Sequence, residues 1–289
     1  MGKEDFFKQL ENISDLPTLP IVASKLMTLL ASPNSSLKQI SKIMTSDPAI
    51  TAKVLKIANS AYYTTSNKVN SVRMALVILG ENQITSIVYS LSLYRTFSDD
   101  IDSDFQNRFF THALSTAHIS KMLAKKLNLR LRDSVFTAGL IHEIGLIILN
   151  QYYNNEFRRV ELLIKKKQFE SHLAFKQILQ IDQSEIGAWL AKRWKLPDQL
   201  VSSIVNHKCS MLQSNNKDQL AALVHIASMV ATLIGFKLID KYTLEDYIDN
   251  VCWDYLVKDP DNFDKQGLYE EILEKKDTIK DLVDLVKKS

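Results

Sequence analysis

Glycine and proline are scarce in this sequence, seven and six in 289 residues. That scarcity excludes collagenous and low-complexity chains, and it removes most of the turn residues that an all-β sandwich or barrel needs. Cysteine is scarcer still. Cys209 and Cys252 lie far apart without a metal-type spacing, so neither a disulfide scaffold nor a cysteine zinc site is expected. They read as unpaired thiols of a cytosolic protein. No run reaches the ~18 apolar residues of a membrane span, and the opening "MGKEDFFKQLENI" lacks the apolar core of a secretory leader. Nor does Gly2 open a myristoylation signal, because the required Ser or Thr is missing. A large excess of one charge is absent too. Lysine and arginine number 36 against 33 aspartates and glutamates, a net of +3, too little for a nucleic-acid footprint on a chain this long. The densest basic run, "IKKKQ" at 164–168, reads as a solvated helix face. The expected compartment is the cytoplasm, with no nucleic-acid partner.

What the sequence does have is helical periodicity from end to end. In "IVASKLMTLLA" the apolar residues Ile21, Val22, Leu26, Leu29 and Leu30 share one broad face, at spacings near 3.6 residues. Asp47 before Pro48 predicts an N-cap and a proline in the first helical turn. Gly80 closes "SVRMALVILG", and a new helix resumes at once. Asn59 and Ser60 end an apolar helix, where a polar pair can cap carbonyls. No segment alternates as a strand does. The predicted fold is all-α, with roughly a dozen helices and short connections. Longer helices are expected over 105–127, 133–152, 157–167, 172–179, 183–194, 198–207 and 219–234. The acidic "SDDIDSDFQ" at 98–106 is the candidate boundary. It divides the chain into an N-terminal helical part (1–100), a larger helical core (101–236) and a C-terminal extension (237–289). The last of these carries an apolar stripe of Leu268, Ile272, Ile279, Leu282, Val283 and Val286, suited to self-association, to a partner or to docking on the parent fold.

One segment stands out chemically. "TAGLIHEIGLIILNQYY" (137–153) sets His142 beside Glu143 in otherwise apolar surroundings, where a polar pair costs free energy unless it is compensated. His142 read alone is either a core-rim histidine bonded to a backbone carbonyl or a ligand. Glu143 can face solvent or pair with an arginine.

With the helices laid out, "LPTLP" (16–20), "SDPAITAKVLKIANSAYY" (46–63), "VNSVRMALVILG" (69–80), "TAGLIHEIGLIIL" (137–149) and "SEIGAWLAKRWKLPDQLVSSIVNH" (184–207) together resemble the HDOD family, the HD-related output domains of bacterial signalling proteins. The resemblance runs from Asp15 to Ile234. It implies a small helical leader followed by a multi-helix, phosphodiesterase-like HD bundle. In working HD phosphohydrolases it also implies a site where histidines and carboxylates hold one or two divalent ions, which generate hydroxide and stabilise a phosphoryl group.

Matched position by position, the resemblance places the family's opening histidine at His112, the histidine of the His-Asp pair at His142, and its carboxylate at Glu143 in place of aspartate. The histidine that often opens the next helix is matched by Gln183. Of a downstream histidine pair, the first is His207 and the second is Lys208. The aspartate of a later helix is matched by Ser228. The extra methylene of Glu143 is large against the ~0.2 Å tolerance of a ligand distance, and an ammonium has no lone pair to give. His118, His172 and His225 match no ligand position.

The metal residues this resemblance implies are therefore a vestigial set: His112, His142, Glu143 and His207. The expected function is a non-catalytic signalling module that works through protein partners, with no required cofactor; a single divalent ion and a nucleotide ligand stay open. The alternative is a metal-dependent phosphohydrolase or cyclic-nucleotide phosphodiesterase using the reduced His/Glu site.

Overall fold

Asp47 caps the helix Pro48–Ala58: its Oδ1 accepts from the amides of Ala49 and Ile50, each at 3.0 Å. This computed structural model describes residues 2–30, 35–60, 63, 68–97, 102–131, 134–167, 170–208 and 218–288. Its described elements are all α-helical or 3₁₀, as predicted for an all-α chain. Contacts separate the chain into two compact units, Met1–Leu16 with Asp100–Lys276, and Pro17–Asp99 with Asp277–Ser289.

The second of these units packs short helices, among them Ile21–Leu30, Leu37–Thr45, Pro48–Ala58, Val72–Leu79 and Glu81–Thr96. Ile40, Met44, Ile50, Val54 and Leu76 are buried in its core. Asn59 ties a helix end to the following segment. Its Nδ2 donates to the carbonyls of Leu55 and Val69, and its Oδ1 accepts from the Val69 amide at 2.8 Å. Gly80 (φ +80°) separates Val72–Leu79 from Glu81–Thr96, a conformation that costs glycine little.

The larger unit is built round two long helices, Ser103–Lys126 and Gln219–Leu233, with Ser134–Ile141 packed on both. From Leu220 to Thr232 the Gln219–Leu233 helix is buried on all sides, so it forms the centre of the unit and not an amphipathic rim. The helix expected over 133–152 is in fact two, Ser134–Ile141 and Gly145–Tyr152. Between them the backbone tightens to three-residue hydrogen bonds, Ile144 to Ile141 (3.0 Å) and Leu146 to Glu143 (2.9 Å). The segment Ser134–Tyr152 has the length and hydropathy of a short membrane span, yet it is 89% buried within the protein.

Gly145 explains why the break sits there. A Cβ built on it would lie 1.9 Å from the Gln183 carbonyl oxygen and 2.8 Å from the Gly187 amide, so the start of one helix rides directly on the backbone of Gln183–Arg193. Gly145→Ala is therefore expected to cost about 2–3 kcal/mol, the upper range for overpacking. Chemical denaturation would read this as a lower midpoint at unchanged slope. A loss below ~0.5 kcal/mol would mean that the two backbones are not in contact.

Two expectations change here. The C-terminal stripe over 268–286 was open to self-association, to a partner or to docking on the parent fold, and the last of these is what its burial matches. Leu268 and Ile272 in the larger unit, and Ile279, Leu282, Val283 and Val286 in the smaller one, are all buried. The stripe is thus spent on intramolecular packing, in two helices, Lys265–Glu274 and Lys276–Lys287. Cys252, read as a free thiol, is disulfide-bonded and fully buried; Cys209 falls outside the described residues.

Candidate functional site

The tight turn after Ile141 aims two consecutive side chains, His142 and Glu143, into the larger unit, where both are about 98–99% buried. His112 comes from the middle of Ser103–Lys126 and His207 from the end of Asp198–Asn206. The His142 ring centroid lies 5.3 Å from that of His112 and 5.2 Å from that of His207. The four residues singled out in the sequence therefore do converge.

Their hydrogen bonds decide what each can offer. A backbone carbonyl only accepts, so the ring nitrogen facing one must carry the proton. His112 Nδ1 donates to the Phe236 carbonyl at 2.7 Å, which leaves Nε2 to accept from the Ser228 hydroxyl at 3.1 Å. Neither nitrogen has a free lone pair. His142 Nδ1 donates to the Gly139 carbonyl at 2.8 Å, and its Nε2 has no protein partner. His207 Nδ1 donates to the Ile204 carbonyl at 2.6 Å, with Nε2 3.4 Å from Glu143 Oε1. Burial pushes the His112 and His142 rings below the ordinary histidine range, against the pull of Glu143.

Glu143 has a partner that the spacing did not suggest. The Lys208 ammonium donates to its Oε1 at 2.7 Å and also to Asp240 Oδ2. Lys208 is itself buried. Burial alone would lower its pKa, but Asp240 and Glu143 overcome that and hold it well above the ordinary lysine value. Conversely, burial would raise Glu143, and Lys208 and His207 instead hold it well below the usual carboxylate range. Asp240 is likewise lowered by Lys208 against its burial. The result is a carboxylate–ammonium–carboxylate triad at the position where the resemblance places a cation.

These residues do not fit a divalent ion. One histidine is fully committed, and the glutamate already carries a covalently tethered cation at hydrogen-bond distance. Among the described residues no group of three or more His, Cys, Asp or Glu side chains is arranged to hold a metal. Gln183 is fully buried, with neither side-chain polar atom paired to protein.

The HDOD domain model matches residues 16–210, more than half of the chain. The chain belongs to the HDOD family. An uncharacterized protein of Treponema pallidum (strain Nichols) is 23% identical over 199 residues, 68% of this chain; the chain spans only 38% of that relative's length. The fold is similar to that of an HDOD domain protein of unknown function from Geobacter sulfurreducens (TM-score 0.85, 21% identity, 97% of this chain and 96% of that one). It is also similar to a provisionally named phosphohydrolase from Shewanella amazonensis SB2B (TM-score 0.74, 23% identity, covering 96% and 97%). A third likeness is a provisionally named signal transduction protein from Marinobacter aquaeolei VT8 (TM-score 0.75, 22% identity), of which this chain spans 62%.

Within this HDOD fold, Ser228 sits where an aspartate was expected and hydrogen-bonds His112. The other histidines divide. His225 is buried and half-buried His118 packs edge-on to Phe136, whereas His172 Nδ1 lies 3.2 Å from Glu170. Sequence reasoning missed two things. Asp240 lies beyond the region of resemblance and carries no motif. Lys208 was read only as a lost ligand; the signal available was a lysine next to a buried-type histidine, matched by an uncompensated glutamate elsewhere in the core pattern.

Proposed function

We propose that this HDOD protein is a non-catalytic signal-transduction module that retains the shape of an HD-type pocket and acts by binding other proteins. The observation that carries this reading is the Lys208 ammonium, bonded to Glu143 at 2.7 Å. A cation that belongs to the chain compensates the buried carboxylate, so no exchangeable ion is needed for that purpose. The family membership supports a place in signalling at the coarser level.

A second reading, a metal-dependent phosphohydrolase with a reduced site, draws on the buried and unpartnered His142 Nε2 and Glu143 Oε2. Elemental analysis of protein purified without chelator separates the two. The expected result is below about 0.1 divalent ion per chain, because a hydrolytic site needs at least three protein ligands and an open position. It is accompanied by no turnover of a bis-aryl phosphate or a cyclic dinucleotide with added Mn²⁺ or Mg²⁺. Near-stoichiometric metal that is lost in His142→Ala, together with turnover, would replace the first reading by the second.

A further inference from the structure

Between the helix Asn154–Lys167 and the segment after Phe236 lies an open groove of about 640 Å³. Its floor and one wall are apolar, from Ile164, Leu238 and Ile239. Its other wall is the outer face of Asn154–Lys167, where Arg158, Glu161, Leu162 and Lys165 follow one another at the spacing that puts residues on a single helix face. Leu162 is 54% exposed there, unlike the buried Phe157 and Val160 of the same helix.

The charge round this groove is one-sided. Arg108 is balanced, with Glu161 at 3.3 Å and Asp104 at 3.0 Å. Arg158, Lys165 and Lys241 have no acidic partner among the described residues. Three unpaired cations thus ring an apolar trough, in a chain whose net charge over its whole length is only +3. The lysine run that the sequence suggested was a solvated face therefore contributes, through Lys165, to a concave surface.

The wall opposite the helix is fixed from the histidine pocket. Arg108 donates to the Leu238 carbonyl at 3.1 Å, and one helical turn along, His112 takes the Phe236 carbonyl at 2.7 Å. Two residues further on, Asp240 is held by Lys208. Leu238 and Ile239 are therefore presented by a strand of backbone pinned on both sides by residues of the pocket.

We infer that this groove docks an acidic, amphipathic helical segment of a partner protein. Such a segment would bury apolar side chains against Leu162, Leu238 and Ile239 and place its carboxylates on Arg158, Lys165 and Lys241. No aromatic ring lines the groove among the described residues, so a nucleotide base has nothing to stack on. A concave trough with cations on its rim also suits an inserted side chain better than a flat lipid surface. The inference deepens the protein-binding reading above and rests on it for the existence of a partner.

The test uses the full chain and a displayed library of helical peptides, apolar at i, i+3, i+4 and i+7 and random elsewhere. Selected peptides are expected to be enriched in Asp and Glu and to bind less tightly as salt rises. They should also lose about tenfold in affinity on the double variant Arg158→Glu, Lys165→Glu. These side chains are exposed, so the melting temperature should stay put; Leu162→Asp provides a second, independent loss. Selection without acidic enrichment, or equal binding by the double variant, overturns the inference. So does saturable binding at these residues of a guanine nucleotide, or of vesicles containing phosphatidylglycerol, in place of the peptides. Failure here with no metal and no turnover removes only the groove. Peptide binding alongside metal-dependent turnover removes only the non-catalytic reading.

Discussion

Lys208→Met is expected to destabilise the protein by about 3–5 kcal/mol, the usual range for removing one member of a buried ion pair. The loss comes from what is left behind. Glu143 is 2% exposed and Asp240 shares the same ammonium, so the variant would bury carboxylate charge with no counter-ion. Adding Glu143→Gln should then recover part of the loss, and the cycle should show a coupling above about 1 kcal/mol. Urea unfolding of the four proteins checks this. A single-variant loss below ~1 kcal/mol, or additive effects, would mean that the ammonium is not what stabilises the glutamate. The sign with pH follows from the directions of the shifts. Both carboxylates are lowered on folding and Lys208 is raised. The contribution of the triad is therefore present above the unfolded carboxylate range, ~4, and lost as pH falls through the folded values. At the alkaline end it is complete below the unfolded lysine value, ~10.4, and lost as pH rises through the folded one.

Acid should unfold the protein early and steeply. His112, His142 and His225 are each at least nine-tenths buried, and burial lowers all three, His225 to about 3. Glu143 opposes the shift at His112 and His142, and Asp240 opposes it at His112 and His225. Lys208 reinforces it at all three, and His207 at His142 and His225. A group lowered on folding leaves the unfolded chain binding more protons once pH drops below ~6.5, so stability falls with pH from that point. For His225, lowered to about 3, the loss is about 1.4 kcal/mol per pH unit below ~6.5, and the lowered His112 and His142 rings add to it in the same direction. Against the ~5–15 kcal/mol of an ordinary domain, a loss of this kind is a sizeable share. Half-buried His118, also lowered to about 3, adds to the same slope. Thermal unfolding followed at pH 7, 6 and 5 should show the midpoint falling below pH 6, and His225→Gln should make that fall shallower. A midpoint unchanged from pH 7 to 5.5 would contradict the burial of neutral rings.

Much of this was legible because it is local. The cap at Asp47, the stop at Gly80 and the ends of Asp198–Asn206 and Gln219–Leu233 depend on residues a few positions away, and such signals survive without tertiary context. The convergence of His112, His142 and His207 was legible only through the family resemblance, since nothing in their spacing brings three helices together. The break at His142–Ile144 was not legible. It is imposed by the approach of Gly145 to the backbone at Gln183, a contact between segments some forty residues apart. Asp240 was missed for the same reason. Its partner, Lys208, lies thirty-two positions earlier, and only packing makes a pair of them.

A counter-ion on a four-carbon tether cannot be dialysed, chelated or exchanged. On the non-catalytic reading proposed above, the Lys208 triad keeps the shape of this pocket indifferent to the metal supply of its surroundings, whereas a bundle closed round a dissociable ion would loosen whenever that ion ran short. The polar centre of the pocket is in this sense a fixed internal brace, and only a change in the gene could release it.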